Sequence, residues 1–322
     1  MRRGYSVARS NFDICSWGKY QILSRIKKVQ FSIYLLLQLS SSNRNIVMNE
    51  LAESNSPYGD HTMERRKKAE QAINFFNSSR SCLSSLLKLL EDNKDQHEDL
   101  QALLEEYNKI RETYSNKYER NGRRFPLIVL EGLDGSGKST VGMRLAKKLG
   151  AERISTPPKS LSTFRSKFDG HFCLHAPFYY LGNYAAALEV DEILQKKPVV
   201  MDRFWHSTTA FALAQMKEDY FDVLKSTELP DKSSDVYKWP NDLLKPDIVL
   251  FLDVSEEVRN NRLSRRKTKT EQENLLSSKE KFRKNVLLTY DNMSDPGIEK
   301  INGNEDFPVV LQEIDNKIKH LF

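Results

Sequence analysis

Between residues 62 and 120, apolar residues recur with the i, i+3, i+4, i+7 spacing of amphipathic helices. The polar run Glu91–Asp95 separates the second apolar stripe from the third. The pattern predicts two or three helices, with a helical hairpin as one arrangement. We expect them to pack on the rest of the protein, and a docking or regulatory module is the alternative. The apolar positions are Ala69, Ala72, Ile73 and Phe76, then Leu83, Leu86, Leu87 and Leu90, then Leu100, Leu103, Leu104, Tyr107 and Ile110.

After residue 125 the pattern changes to short apolar runs, typical of buried strands, that alternate with helical spacing. Helical spacing covers residues 178–194, 259–284 and 308–322, whereas the polar, proline-interrupted residues 217–245 are interpreted as an insertion. Alternating strands and helices predict an α/β fold with a five-stranded, mostly parallel sheet flanked by helices. The five predicted strands are Pro126–Leu130, Arg153–Ser155, Pro198–Asp202, Asp247–Leu252 and Ile298–Asn302.

The positive charge is concentrated at the N-terminus. The whole chain carries +6, but residues 1–49 hold eight Lys or Arg against one acid, Asp13, so the remainder carries −1. That remainder has no basic excess to hold a nucleic acid, and none is expected as a partner. The Arg/Lys-rich, Ser-rich leader predicts a mitochondrial transit peptide and a matrix location, and the alternative is a cytoplasmic protein with an untargeted tail. Its apolar run Phe31–Leu39 is too short to span a membrane.

The stretch Gly132–Ser139 matches the phosphate-binding pattern G-x-x-x-x-G-K-[ST] at every specified position. A predicted strand precedes it and a predicted helix follows, so backbone N–H groups and a helix N-terminus would together bind the phosphates of ATP. Lys138 should reach the β- and γ-phosphates, and the Ser139 hydroxyl should ligate Mg²⁺. The predicted nucleotide-binding residues are Gly132, Leu133, Asp134, Gly135, Ser136, Gly137, Lys138, Ser139 and Thr140.

Two strand ends carry acids that could position Mg²⁺. Asp202 ends the third predicted strand, and the adjacent Arg203 could clamp a phosphate. Asp253 directly follows the fourth, but Ser255-Glu256-Glu257 comes next, so we interpret Asp253 as a helix N-cap and prefer Asp202 for the metal.

A basic cluster follows in the next predicted helix. Its side chains could surround a migrating phosphoryl group on a mobile lid, and a solvated helix face is the alternative. A guanine-specific GTPase is disfavoured because no late strand carries the N/T-K-x-D element. The cluster consists of Arg262, Arg265, Arg266, Lys267 and Lys269.

Together, GLDGSGKST, DRFWHST and RLSRRKTKT resemble the thymidylate kinase family of nucleoside monophosphate kinases. FYYLGNY and YKWPNDLLKPD are similar to the branch of mitochondrial UMP-CMP kinases. The resemblance covers residues 124–321. Composition, periodicity and the resemblance together predict a leader (1–49), a linker (50–61), a helical extension (62–120) and a catalytic domain (123–322).

The resemblance also implies roles for individual residues. Lys138, Arg203, Arg265, Arg266 and Lys269 would be catalytic cations. Ser139 and Asp202 would hold Mg²⁺. Asp134 would face the sugar of the monophosphate, and Arg165 and Arg203 would hold its phosphate. Tyr180 would stack on the pyrimidine, with Asn183 and Tyr184 beside it.

Tyr184 departs from the family pattern, in which an arginine that reads the base commonly stands at this position. The tyrosine favours UMP, CMP, dUMP or dCMP as the acceptor, with dTMP as the alternative. Position 135 is Gly, so no arginine of the phosphate loop can assist transfer, and the lid cations would supply that charge. A non-catalytic nucleotide-binding scaffold is the alternative of another class, and a homodimer is left open.

Overall fold

Five parallel strands form the centre of the protein in a computed structural model that describes residues 59–115, 125–171, 173–224, 229–265 and 280–322. The strand order is β2-β3-β1-β4-β5, and every neighbouring pair is parallel. This confirms the predicted fold class. The strands are β1 (Leu127–Glu131), β2 (Glu152–Ser155), β3 (Val199–Asp202), β4 (Ile248–Asp253) and β5 (Ile298–Asn302). The predicted leader lies outside the described residues.

Helices cover both faces of the sheet, because the central strands are apolar on both sides. Ile128 and Leu130 of β1 face one core, whereas Leu127 and Val129 face the other. The described helices are α1 (Gly59–Ser81), α2 (Leu83–Asp92), α3 (Glu98–Ser115), α4 (Lys138–Leu149), α5 (Lys159–Ser162), α6 (Arg165–Phe168), α7 (His175–Ile193), α8 (Trp205–Leu224), α9 (Glu256–Ser264), α10 (Glu280–Asn292) and α11 (Phe307–Ile318).

The helical region before the sheet packs on α7 and α8. Phe76 of α1, Leu86 of α2 and Leu103 of α3 belong to the same buried cluster as Phe178 and Tyr180 of α7. The predicted interruption at residues 91–95 is present, since α2 ends at Asp92 and a short 3₁₀ turn follows. The sequence did not reveal the break between α1 and α2.

Several boundaries differ from the sequence prediction, and α1 begins at Gly59, inside the predicted linker 50–61. Helix α8 continues to Leu224, so the predicted insertion begins later than residue 217. The helix packs on α1 and α10, and the periodicity of the sequence did not reveal this packing. The predicted helix at 259–284 is represented by α9 and α10, and residues 266–279 lie outside the described residues. Within the described part of the chain, no helix has the length and apolar character needed to cross a membrane.

Candidate active site

The phosphate-binding loop joins β1 to α4 at the carboxyl edge of the sheet. Gly137 precedes the first turn of α4 with φ +95°, a conformation that residues with a Cβ rarely adopt. Gly135 has φ +84°, and a Cβ there would lie 2.8 Å from the carbonyl oxygen of Arg259. The loop glycines are therefore required both by backbone conformation and by close packing against α9.

The Lys138 ammonium folds back over the loop. It donates to the carbonyl oxygens of Gly132 (2.8 Å) and Leu133 (3.0 Å) and lies 3.4 Å from Ser136 Oγ. Burial and the nearby Arg203 guanidinium lower the pKa of Lys138 to about 8. The amine is thus held against the phosphate-binding loop, and a bound phosphate would stabilise its charged form.

Ser139 and Asp202 lie side by side below the loop. The Ser139 hydroxyl donates to Asp202 Oδ2 at 2.9 Å, and Arg153 donates to the same oxygen at 3.1 Å. A hydroxyl and a carboxylate oxygen in contact are hard oxygen ligands of the kind Mg²⁺ prefers. The pair fits the predicted metal site, with Asp202 close enough to act directly or through water.

Arg203 is the non-glycine residue with positive φ among the described residues, at +67°. This left-handed conformation is uncommon for residues with a Cβ and costs on the order of 1 kcal/mol. It turns the chain sharply at the end of β3, so the guanidinium reaches Asp134 of the phosphate loop and lies 5.2 Å above the ring centre of Phe211. Its second terminal nitrogen donates to Ser207 Oγ at 3.3 Å. Two predicted site residues 69 positions apart, Asp134 and Arg203, are thereby brought together.

Glu131, which the sequence analysis did not single out, fixes the segment that follows Arg203. Its fully buried carboxylate accepts from the backbone N–H of Phe204 (3.0 Å), from both the N–H (3.2 Å) and hydroxyl of Ser207, and from the Tyr290 hydroxyl (2.9 Å). Burial raises the pKa of Glu131, although these donors oppose the shift. An acid that ends an otherwise apolar strand directly before the phosphate loop was the sequence signal that could have identified it.

Arg165 is exposed at the start of α6. Its Nε donates to the Tyr179 hydroxyl at 2.9 Å, and that hydroxyl in turn donates to Asp169 at 3.0 Å. Burial raises the pKa of Tyr179 to about 12, so the hydroxyl stays protonated at neutral pH. Arg165 therefore has its orientation set by α7, and its role toward an acceptor phosphate stays a prediction.

The three predicted substrate residues of α7 are buried and connected to other elements. Tyr180 is 1% exposed, lies 6.2 Å from the ring of Phe76, and shares a 2.8 Å hydrogen bond with Thr209. Asn183 donates to Thr208 at 3.0 Å, and Tyr184, 4% exposed, donates to Asp242 at 2.7 Å. Neither tyrosine ring presents an open face in this structure, and their contacts with a base stay predictions.

The residues of the predicted basic cluster have different surroundings in the structure. Arg262 bridges the loop and the β5–α11 turn by donating to the carbonyl oxygens of Ser136 and Gly303, both at 3.0 Å. Arg259, also missed from the sequence, donates to the Asp134 carbonyl oxygen at 3.0 Å. Arg265 is exposed after α9. The other three cations of the cluster, Arg266, Lys267 and Lys269, lie outside the described residues.

Asp253 does not have its predicted capping role. The side chain that caps α9 belongs to Ser255, which accepts from the Val258 N–H at 3.4 Å. Asp253 instead ends β4 with an exposed side chain, and its carbonyl oxygen accepts from Gly303 at 2.8 Å. Ser255 directly precedes α9, so its side chain reaches the N–H groups of the first turn. Asp253 lies two residues earlier and is not at the capping position.

Comparison with known proteins gives this geometry a context. Human mitochondrial UMP-CMP kinase 2 is 36% identical over 201 residues, which are 62% of this chain and 44% of the human protein. The chain thus spans less than half the length of that relative. A probable thymidylate kinase from Methanococcus vannielii is 28% identical over 57% of this chain and 85% of its own length. The solved thymidylate kinase of Candida albicans matches with a TM-score of 0.47 and 24% identity over 62% of this chain and 94% of that chain.

The family model described as thymidylate kinase matches residues 130–314, more than half of the chain. The match runs from the end of β1 through the phosphate loop, the Asp202-Arg203 turn and most of α11. The chain belongs to the thymidylate kinase family of nucleoside monophosphate kinases.

Proposed function

We propose that the protein transfers the γ-phosphoryl group of ATP to a pyrimidine nucleoside monophosphate, either UMP, CMP, dUMP or dCMP, giving the diphosphate and ADP. The observation that carries the proposal is the convergence of Lys138 and Arg203 at the carboxyl edge of the sheet. Lys138 lies in the donor loop, and Arg203 reaches over from β3 to Asp134 of the same loop. Two cations that contact the same loop suit a reaction in which one phosphate group attacks another.

The chemistry requires no protein nucleophile. An oxygen of the acceptor phosphate attacks the γ-phosphorus, a new O–P bond forms, and the bond from the γ-phosphorus to the bridging oxygen breaks, releasing ADP. Lys138 would stabilise the negative charge of the donor, Arg203 would orient the acceptor phosphate, and Arg165 would support it. Ser139 and Asp202 would hold Mg²⁺, which, when bound, neutralises phosphate charge.

The carboxylates near the loop favour a phosphate over a hydroxyl as the acceptor. A nucleoside kinase needs a base to remove a hydroxyl proton. Glu131 is buried and accepts four hydrogen bonds, and Asp134 is paired with Arg203. The acceptor phosphate of a nucleoside monophosphate is already ionised and needs no such base.

dTMP is the second candidate acceptor, because the family model and the archaeal relative carry the thymidylate kinase name. The human relative is a UMP-CMP kinase, and Tyr184 in place of a base-reading cation supports the UMP/CMP assignment. In this proposal residues 123–322 form the catalytic domain.

The test is ADP formation from ATP by the full chain, offered CMP, UMP, dCMP, dUMP and dTMP in turn. Turnover of the four UMP/CMP-type acceptors well above dTMP is the expected result. A preference for dTMP would overturn the acceptor assignment and keep the enzyme class. Tight ATP binding without turnover of any of the five would instead support a nucleotide-binding scaffold.

We also propose a mitochondrial location, which the basic leader and the name of the human relative support. Residues 1–49 fused to a fluorescent protein should direct it to mitochondria. Uniform cytoplasmic fluorescence would contradict this and favour the cytoplasmic alternative.

A further inference from the structure

Asp242 joins three parts of the chain through one carboxylate. Its Oδ1 accepts from the hydroxyl of Tyr184 on α7, and its Oδ2 accepts from the backbone N–H of Leu83, both at 2.7 Å. Leu83 is the first residue of α2 and lies 159 positions earlier in the sequence. The segment 229–247, the helical region and α7 therefore meet at a single side chain.

Helix α2 depends on this carboxylate for its N-terminal cap. The residue at its own N-cap position, Cys82, makes no side-chain capping bond, and the first turn contains no acidic residue. The first backbone N–H groups of a helix need acceptors, and negative charge is favourable there. Asp242 supplies both an acceptor and the charge from a distant part of the sequence.

The neighbouring Trp239 packs the segment that contains Asp242 against the residues that follow Arg203. Three residues before Asp242, the Trp239 ring packs with centroids 5.3 Å from those of Phe204 and Trp205, and its Nε1 donates to the Leu243 carbonyl oxygen at 3.0 Å. Phe204 follows Arg203 directly in the chain. The position of Asp242 is consequently coupled to the turn that presents the arginine.

The hydroxyl of Tyr184 stays protonated and donates its hydrogen bond to Asp242. Burial raises its pKa well above the ordinary range, and the hydrogen bond to Asp242 acts in the same direction. The tyrosine follows Asn183, whose Oδ1 is buried and has no partner within the described residues. Fixing Tyr184 therefore also fixes the turn of α7 that carries Asn183, another of the predicted substrate residues.

We propose that Asp242 is a positioning residue for the nucleoside monophosphate: by holding both Tyr184 and the N-terminus of α2, it ties the helical region 59–115 to the stretch of α7 that carries the predicted substrate residues. The inference rests on the proposed function, because it assigns a role to the acceptor side of that site. It gives the helical region a purpose in substrate selection, beyond covering apolar surface.

The test compares Asp242→Ala with the wild type in the full chain. Losing a charge-assisted acceptor from a buried hydroxyl and a helix N-terminus should raise KM for the preferred monophosphate ~10-fold. KM for ATP should stay within ~2-fold, because no ATP-binding residue contacts Asp242. Asp242→Asn should recover part of the loss, since its amide oxygen can still accept from one of the two donors.

A double-variant cycle adds a readout that a general loss of stability would not give. Tyr184→Phe alone should raise KM for the monophosphate ~3-fold, and adding it to Asp242→Ala should have little further effect, because the two residues act through one hydrogen bond. Lys238→Ala, which removes an exposed ion pair with Asp235 in the same segment, is the matched control. Amide exchange at Leu83 should be faster in Asp242→Ala and unchanged in the control.

The outcomes separate the inference from the proposed function. An active wild type with an unchanged monophosphate KM in Asp242→Ala, or with equal rises in both KM values, would overturn the inference alone. Additive effects of the two substitutions would also contradict it. A wild type inactive on all five monophosphates would overturn the proposed function and the acceptor role together.

Discussion

The proposed donor half of the site, Gly132–Ser139, takes its groups from eight consecutive residues. The proposed acceptor half combines Asp134 of the same loop with Arg203, α7 and residues of the distant segment 229–247. A loop that binds phosphate through its own backbone needs only the right glycines and a helix behind it. A pocket for a base and a second phosphate needs side chains from several elements at fixed distances. The donor half can therefore be identified from a motif, and the acceptor half depends on how helices pack.

The largest expected effect comes from the donor half. Lys138→Ala should lower kcat by ~10³-fold or more, because it removes a preorganised cation from the migrating phosphoryl group. Since the Lys138 charge is buried and its pKa is lowered to about 8, its removal should not unfold the protein. Steady-state kinetics and thermal unfolding measure the two quantities. Lys147→Ala on the exposed face of α4 is the control, and an Lys138→Ala enzyme of near wild-type activity would contradict the donor assignment.

The Glu131→Ala variant tests how much the buried network behind Arg203 contributes to stability. Glu131→Ala leaves buried donors of Phe204, Ser207 and Tyr290 without their acceptor, so it should lower the free energy of unfolding by about 3 kcal/mol. Denaturant unfolding gives the value. Glu152→Ala, which breaks a half-exposed ion pair with Lys197, should cost less than ~1 kcal/mol. Equal decreases in the free energy of unfolding in the two variants would show that the buried network stabilises the protein no more than an exposed ion pair does.

Arg203→Lys isolates the acceptor half. The lysine keeps a positive charge but loses the planar fork that can bind phosphate through two nitrogens, so KM for the monophosphate should rise ~30-fold. KM for ATP should change far less, and initial-rate kinetics with each substrate varied in turn separates the two. A rise confined to the KM for ATP would place Arg203 on the donor side and remove the contrast between the halves.

The smallest expected effect is the pH dependence of ATP binding. The nucleotide should bind the charged form of Lys138, and in the free protein burial lowers the pKa of that amine to about 8. The Kd for ATP should therefore be constant below pH 8 and rise above it, by at most ~10-fold per pH unit. Calorimetric titration between pH 7 and 9.5 measures this. A Kd that falls as the pH rises would contradict the assigned charge state, and Lys138→Ala should remove this component.

What the sequence by itself determined were the features encoded by short-range patterns. The apolar runs gave the five strands and their alternation with helices, because strands buried on both faces leave a continuous apolar signature. The motif at 132–139 located the phosphate loop, and Asp202-Arg203 was recognisable because both polar residues end a buried strand. In each case the physical cause lies within a few residues of the signal.

Only the tertiary structure decided what depends on distant contacts. Local pattern could mark Glu131 as a strand-end acid but not its four donors, the contact of Arg203 with Asp134 or the bond from Tyr184 to Asp242. These partners lie 58 to 159 positions apart. The same holds for the cap of α2, which its own sequence lacks and a carboxylate 159 positions later provides. Hydrogen bonds of this kind depend on the relative positions of whole helices and strands. The packing of the helical region on α7 fixes the position of α2 relative to Asp242.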